Sequence, residues 1–336
     1  MIIIRCEDKY IPKVIIDVDR CVGCYMCQRA CALAKCISIN SITNVAEVIE
    51  PADCTGCMAC ERACPYDCIS VINYVEPSIR AKLVISRVKR YMRSPIITVN
   101  GDQLIREGAK IMVKYNIASL ILQEENKIVT ETDILTSPNL NMRLKDIGKD
   151  VICVDKLCGI EKALEVMLYY GISHLPITCD DKIVGMISFR DVLRAYTRSE
   201  IIKDSSHTYV KIDLKTKLRE IGERVNVIEG EITLRDAINL MIREKRKALV
   251  LKKHNKIGIF TFRDAIRMIA EGKTFDDLIE GRFDIKIFNS DDNITSLIPW
   301  IIEKNNRHVI AVDNENVFLI SVKDMAGRTI WIQIKH

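Results

Sequence analysis

A chain of 336 residues is longer than one ordinary domain, and 48% hydrophobic with 28% charged residues indicates two or three folded domains rather than disorder. A net charge of +5 is small for this size and gives no reason to expect a nucleic-acid or membrane partner. The longest apolar stretches, MIII at the start and ITSLIPWII near residue 300, are far too short to cross a bilayer, and the N-terminus lacks a signal-peptide pattern, so the default location is cytoplasmic.

Fourteen cysteines in such a protein point to metal rather than to a disulfide framework. Eleven fall within the first 68 residues, and only Cys153, Cys158 and Cys179 lie beyond. Two segments repeat one another, CVGCYMCQRAC at 21–31 and CTGCMACERAC at 54–64. Both read C-x2-C-x2-C-x3-C, with Gly at the third place and Arg-Ala before the last Cys. Three thiols at i, i+3 and i+6 can wrap one corner of an iron–sulfur cube, while the fourth points away towards a neighbouring cluster. The Gly before the second Cys lets the backbone close around the sulfides. A zinc site needs only four ligands in a tetrahedron and has no use for a third Cys at the same interval. Apolar stretches at 14–18, 46–50 and 69–75 flank the runs and read as short strands.

These residues resemble the dicluster bacterial-type ferredoxins over roughly residues 10–75. The resemblance implies two [4Fe-4S] clusters, one on Cys21, Cys24, Cys27 and Cys64, the other on Cys54, Cys57, Cys60 and Cys31. Pro65 completes the second run, whereas Ala32 stands where the first would have Pro. Cys6, Cys36 and Cys68 fall outside the pattern and read as small packing residues. The basic run SIRAKLVISRVKRYMR at 78–93 reads as a linker helix or strand.

From residue 85 onward four helices carry apolar residues at i, i+3, i+4 and i+7, beginning at Ile105, Ile160, Leu234 and Ile294. Each is followed by an apolar strand, a polar turn and a second strand ending in Thr/Ser-x-x-Asp. The endings are TETD (130–133), SFRD (188–191), TFRD (261–264) and SVKD (321–324). The Asp-to-Asp steps are 58, 73 and 60 residues, and the long one spans a polar stretch at 197–217 that reads as a linker between two pairs.

This pattern resembles the CBS domain family, β-α-β-β-α units that pair into Bateman modules. The expected fold is therefore α+β: a ferredoxin-like dicluster domain at 1–80, a first CBS pair at 81–200 and a second at 201–336. The resemblance implies an adenosyl ligand such as AMP, ATP or S-adenosylmethionine in the clefts. Asp133, Asp191, Asp264 and Asp324 would hold the ribose diol, and the hydroxyls of Thr130, Ser188, Thr261 and Ser321 a phosphate. A carboxylate accepts two hydrogen bonds from a diol, and a hydroxyl at a helix N-terminus adds a donor where the dipole favours an anion. The same residues would also serve simply as helix caps. Gly185 and Gly258 precede SFRD and TFRD and permit close backbone approach, so Ser188, Asp191, Thr261 and Asp264 are the leading candidates.

Of the five His, none is spaced for metal with another His or a Cys; His174 and His308 precede strands and read as packing or cleft-lining residues. Cys158 reads as an inert thiol near a helix start. No nucleophile–base set, P-loop or dinucleotide fingerprint is present, so no self-contained active site is expected. The function expected is an electron carrier or redox sensor regulated by an adenosyl ligand, with a redox partner protein and a homodimer contact through the CBS modules. The alternative is a regulator whose clusters are structural or sense oxygen.

Overall fold

A computed structural model describes all residues except 123, 199–207, 213–214, 255, 304–305 and 335–336. In the N-terminal unit Lys13–Ile16 pairs antiparallel with Ile69–Ile72, and Ile37–Ile39 with Ala46–Val48. One short helix follows the middle of each cysteine run, Met26–Ala30 and Ala59–Arg62. The core between them is thiol-rich: Ile37, Ile39, Ile69 and Val71 pack against Cys27, Cys60, Cys64 and Cys68.

Four units of helix, strand pair and helix follow. Their leading helices are Ile105–Lys114, Ile160–Tyr169, Leu234–Arg243 and, after a 3-10 turn at Ile294–Ser296, Leu297–Glu303. The apolar stripes read from the sequence are buried, as for Ile105, Ala109 and Met112 in the first helix and Leu234, Ala237 and Met241 in the third. Sheets join consecutive units: Ile121 and Ile128 of the first pack with Cys153 and Met186 of the second, and Val250 and Ile259 of the third with Ile310 and Leu319 of the fourth. Helices join alternate units. Ile105 and Met112 share a core with Ile238 and Ile266, while Leu164 and Val192 share one with Leu297 and Met325. The four units therefore close a ring within a single chain.

Three features depart from the sequence reading. The boundary at residue 80 is crossed by the first strand, since Ile2–Ile4 pairs parallel with Ile152–Asp155 of the second unit. Three consecutive isoleucines form a strand able to extend whichever apolar edge they meet. Cys6 and Cys158, read as a packing residue and an inert thiol, form a disulfide that fastens this segment to the second unit. Part of the expected linker is a strand: Thr208–Ile212 pairs antiparallel with Ile330–Ile334, while 199–207 lies outside the described residues. The basic run does contain a linker helix, Pro77–Ile85. Among the described residues no helix is long and apolar enough to cross a membrane.

Candidate functional site

The turns of the two cysteine runs are built alike. Gly23 and Gly56 both take φ +68°, and a Cβ there would stand 2.2 Å from the Asn44 carbonyl oxygen or 2.0 Å from Asn73 Oδ1. Glycine is therefore required at both places. Tyr25 and Met58 also adopt left-handed backbone just before each short helix. Two amides from outside these turns reach the sulfurs: Cys36 N–H donates to Cys31 Sγ at 3.3 Å and Ala46 N–H to Cys21 Sγ at 3.4 Å.

Cys31 lines one small cavity with Cys54, Cys57 and Cys60 of the second run and with Cys36, closed by Val14, Ile37 and Val71. On the other side Cys64 approaches Cys68, Sγ to Sγ 3.3 Å, and Cys68 in turn neighbours Cys21. Among the described residues no three His, Cys, Asp or Glu side chains close on a single metal ion. The donors are instead thiols spaced around a hollow with amides aimed at sulfur, a set that fits a [4Fe-4S] group. Such a group, when bound, supplies one-electron chemistry, and these amides stabilise the charge on its sulfurs. Cys36 and Cys68 do more than pack: Cys36 lines the same cavity as Cys54, and Cys68 lies 3.3 Å from Cys64. The neighbouring Cys36 thiol is the largest influence lowering the Cys54 thiol to about 6; burial opposes it, while the Gly56 amide and the charge of Arg80 act with it.

A buried ion network ties this unit to the rest. Arg80 is 1% exposed and forks onto Asp8 at 2.5 and 2.8 Å. It also donates to the carbonyls of Ala52 at 2.6 Å and Cys54 at 2.9 Å. Arg87 binds the same Asp8, the Ala52 carbonyl and Asp53. The next residue, Val88, donates its N–H to the Cys158 carbonyl at 2.9 Å. One short segment thus touches both the second cysteine loop and the second ring unit.

All four Thr/Ser-Asp pairs form the same local motif. Thr130, Ser188, Thr261 and Ser321 donate their hydroxyls to Asp133, Asp191, Asp264 and Asp324 at 2.6, 2.6, 2.7 and 2.6 Å. Their backbone N–H groups bond the same carboxylate oxygen at 2.8, 3.0, 2.9 and 2.9 Å. Capping is therefore common to all four units, and in each the hydroxyl proton is engaged by its own Asp. What differs is the cation brought to the carboxylate. At Gly185 the chain segment holding Arg93 crosses so closely that a Cβ would lie 2.4 Å from Met92 Sδ. At Gly258 the segment holding Arg282 crosses with 2.8 Å from that Cβ position to the Arg282 carbonyl oxygen. These crossings place Arg93 at 3.5 Å from Asp191 and Arg282 at 3.1 Å from Asp264. In the first unit the partner is a lysine, Lys149, at 2.6 Å from Asp133. The close approach expected at the two glycines is present; Arg93, Arg282 and Lys149 were not foreseen, because they arrive from outside each motif.

Residues of all four endings reach a cavity of about 390 Å³ at the centre of the ring, although Thr130, Asp133 and Asp191 are not among those lining it. Ser188, Thr261, Asp264, Ser321 and Asp324 line it. So do Arg190, Lys247, Arg263, Arg307 and Lys323, which make it strongly cationic. Arg190 is 7% exposed and its Nε has no hydrogen-bond partner among the described residues. Burial, followed by Arg307 and Arg93, lowers its guanidinium to about 10. His174 and His308 also line the cavity, the second of the two roles, packing or cleft-lining, open to them. Burial and the charges of Arg307 and Lys247 hold His308 down at about 3, and burial with the nearby arginines keeps His174 well below its usual value. Both are neutral near pH 7, so the positive field comes from the arginines and lysines. A buried guanidinium with an unsatisfied Nε in a cationic hollow is suited to receive an anion.

Comparison with known proteins gives a consistent picture. The CBS domain model matches residues 88–138, 144–198 and 218–271, and the 4Fe-4S binding domain model matches residues 47–70. The fourth unit, unmatched by the model, repeats the same succession of elements. The chain is 24% identical over 220 residues to an inosine-5'-monophosphate dehydrogenase of Methanocaldococcus jannaschii, covering 63% of this chain but only 40% of that protein. It is 32% identical over 120 residues to an uncharacterised 17.7 kDa protein of Acidianus ambivalens, covering 33% of this chain and 73% of that one. Among solved structures, protein MJ1225 of M. jannaschii superposes with a TM-score of 0.60 at 19% identity, over 72% of this chain and 99% of that one. A CBS domain pair of protein MJ0100, solved with 5-methylthioadenosine and S-adenosylmethionine, superposes with a TM-score of 0.31 at 28% identity, covering 33% of this chain and 95% of that one.

Proposed function

Because the chain belongs to the CBS domain family and carries a 4Fe-4S binding domain, we propose that it is a one-electron carrier or redox sensor with two [4Fe-4S] clusters, governed by an adenosyl ligand bound to its ring of CBS units. The observation that carries the cluster half is the cavity shared by Cys31 with Cys54, Cys57 and Cys60, the crossed set that a dicluster arrangement requires. Cys21, Cys24, Cys27 and Cys64 complete the other site. The ligand half is supported by carboxylates held ready for a diol beside a cationic hollow. Asp191 and Asp264, whose Oδ1 atoms face Arg93 and Arg194 or Arg282 and Arg267, take the ribose in exchange for part of these ion pairs. Because the hydroxyls already bond their own Asp, the phosphate falls to the arginines and lysines of the centre.

The ligand reading makes a ranked expectation. Asp191→Ala and Asp264→Ala each remove a charge-assisted pair and weaken adenosyl binding about ten- to a hundredfold. Asp133→Ala changes it little, since Lys149 already holds that carboxylate at 2.6 Å and the first unit lacks the glycine at which a neighbouring segment crosses in the second and third. Each substitution also removes a helix cap, about 1 kcal/mol, so calorimetric titration with AMP, ATP and S-adenosylmethionine is made well below the melting temperature. No binding of any of the three to the parent protein would leave the ring a scaffold. Equal losses at Asp133 and Asp191 would overturn the ranking.

A further inference from the structure

The first unit departs from the other three at the centre of the ring. Directly after Thr130, Ser188, Thr261 and Ser321 stand Glu131, Phe189, Phe262 and Val322. The following residues are Thr132, Arg190, Arg263 and Lys323. Three units thus present an apolar residue and then a cation; the first presents a carboxylate and no cation. Glu131 is 5% exposed and lines the central cavity. Its two oxygens meet two different arginines, Arg263 Nε at 2.6 Å and Arg307 Nη1 at 3.2 Å. Those arginines come from the third and fourth units. An internal carboxylate therefore grips the same guanidinium groups that an incoming phosphate would need.

We propose that Glu131 is a built-in anion that fills the first unit's quarter of the central cavity and selects for adenosyl ligands bearing one phosphate or none over those bearing a polyphosphate chain. This rests on the adenosyl reading of the ring given above. A single phosphate reaches Arg190, Lys247 and Lys323 without disturbing the Glu131 pairs. A triphosphate extends further into the hollow and must share Arg263 and Arg307 with a fixed negative charge. Like charges at that separation in a poorly solvated hollow repel strongly. The carboxylate also neutralises the cations while the cavity is empty, which keeps a ring of arginines from destabilising the unliganded fold.

The test compares the full-length parent with Glu131→Gln by titration with AMP, ATP and inorganic tripolyphosphate, and by thermal melting with and without tripolyphosphate. The parent is expected to prefer AMP over ATP. In the variant, affinity for ATP and tripolyphosphate rises about tenfold or more, while that for AMP moves less than about threefold. The unliganded variant melts lower, and tripolyphosphate raises its melting point more than it raises the parent's. A merely structural glutamate would lower the melting point without moving the AMP-to-ATP ratio, and that result overturns the inference. If tripolyphosphate discriminates between the two proteins while no adenosyl compound binds either, the anion-gating role stands and the adenosyl reading fails. If adenosyl ligands bind both proteins with one selectivity, the reverse holds. Should Glu131→Gln not fold, Glu131→Asp, whose shorter arm withdraws from both arginines, is expected to shift selectivity the same way by a smaller factor.

Discussion

Arg80→Ala is expected to cost about 3–5 kcal/mol of stability, the penalty of breaking a buried ion pair from one side. The guanidinium is fully enclosed and satisfies both oxygens of Asp8 together with the carbonyls of Ala52 and Cys54. Burial alone would push Asp8 upward, but the Arg80 hydrogen bonds and the charges of Arg87 and Arg80 outweigh it and hold the carboxyl below its usual range. With a folded pKa below the unfolded one, the network stabilises fully at neutral pH. That contribution fades as acid takes the solution down through the folded value. Arg80→Lys keeps the charge but loses the fork, so an intermediate loss is expected. Denaturant unfolding of anaerobic protein measures both. A loss under about 1 kcal/mol for Arg80→Ala would mean that the network is not what joins the cysteine unit to the ring. Because the Cys54 carbonyl is one of the four acceptors, the same substitution should also raise the solvent access of the second cysteine loop.

The crossing of ligands between the two runs gives the other large expectation. Removing Cys64 should empty the site built on Cys21, Cys24 and Cys27 and leave the one on Cys54, Cys57 and Cys60 filled. Cys68 stands 3.3 Å from Cys64 and is the nearest replacement thiol, so the decisive variant is Cys64→Ser with Cys68→Ser. About half the iron should remain, with one surviving cluster signal. The mirror variant, Cys31→Ser with Cys36→Ser, should remove the other half and leave the complementary signal. If both double variants extinguish the same signal, or if Cys64→Ser with Cys68→Ser destroys the second-run site instead, the crossed assignment is wrong.

Much of this organisation is legible in the chain because it is local. The spacing of the cysteines sets which thiols face one corner, and Gly23 and Gly56 do adopt the left-handed turns the spacing demands. The helical stripes and the Thr/Ser-x-x-Asp endings likewise depend on residues within one turn of each other, and all four endings fold as caps. What could not be read is what depends on distant segments meeting. The pairing of Ile2–Ile4 with Ile152–Asp155 and the Cys6–Cys158 bond join residues some 150 apart, with no local pattern to announce them. Arg93 and Arg282 reach their carboxylates only because neighbouring segments cross at Gly185 and Gly258. Glu131 was visible as the odd residue in TETD, but its meaning appears only when Arg263 and Arg307 arrive from other units. The basic residues Arg80 and Arg87 read only as part of a linker helix or strand, because sequence cannot reveal that Asp8 and two loop carbonyls surround them.

The central claim, two redox-active clusters on one chain, is tested most directly by reductive titration of anaerobically purified protein with electron paramagnetic resonance quantitation, alongside iron and sulfide analysis of the same sample. About eight irons and about eight sulfides per chain are expected, with two centres that each take up one electron reversibly. Bound zinc without iron, half that iron content, or clusters that cannot be reduced and reoxidised would contradict the claim.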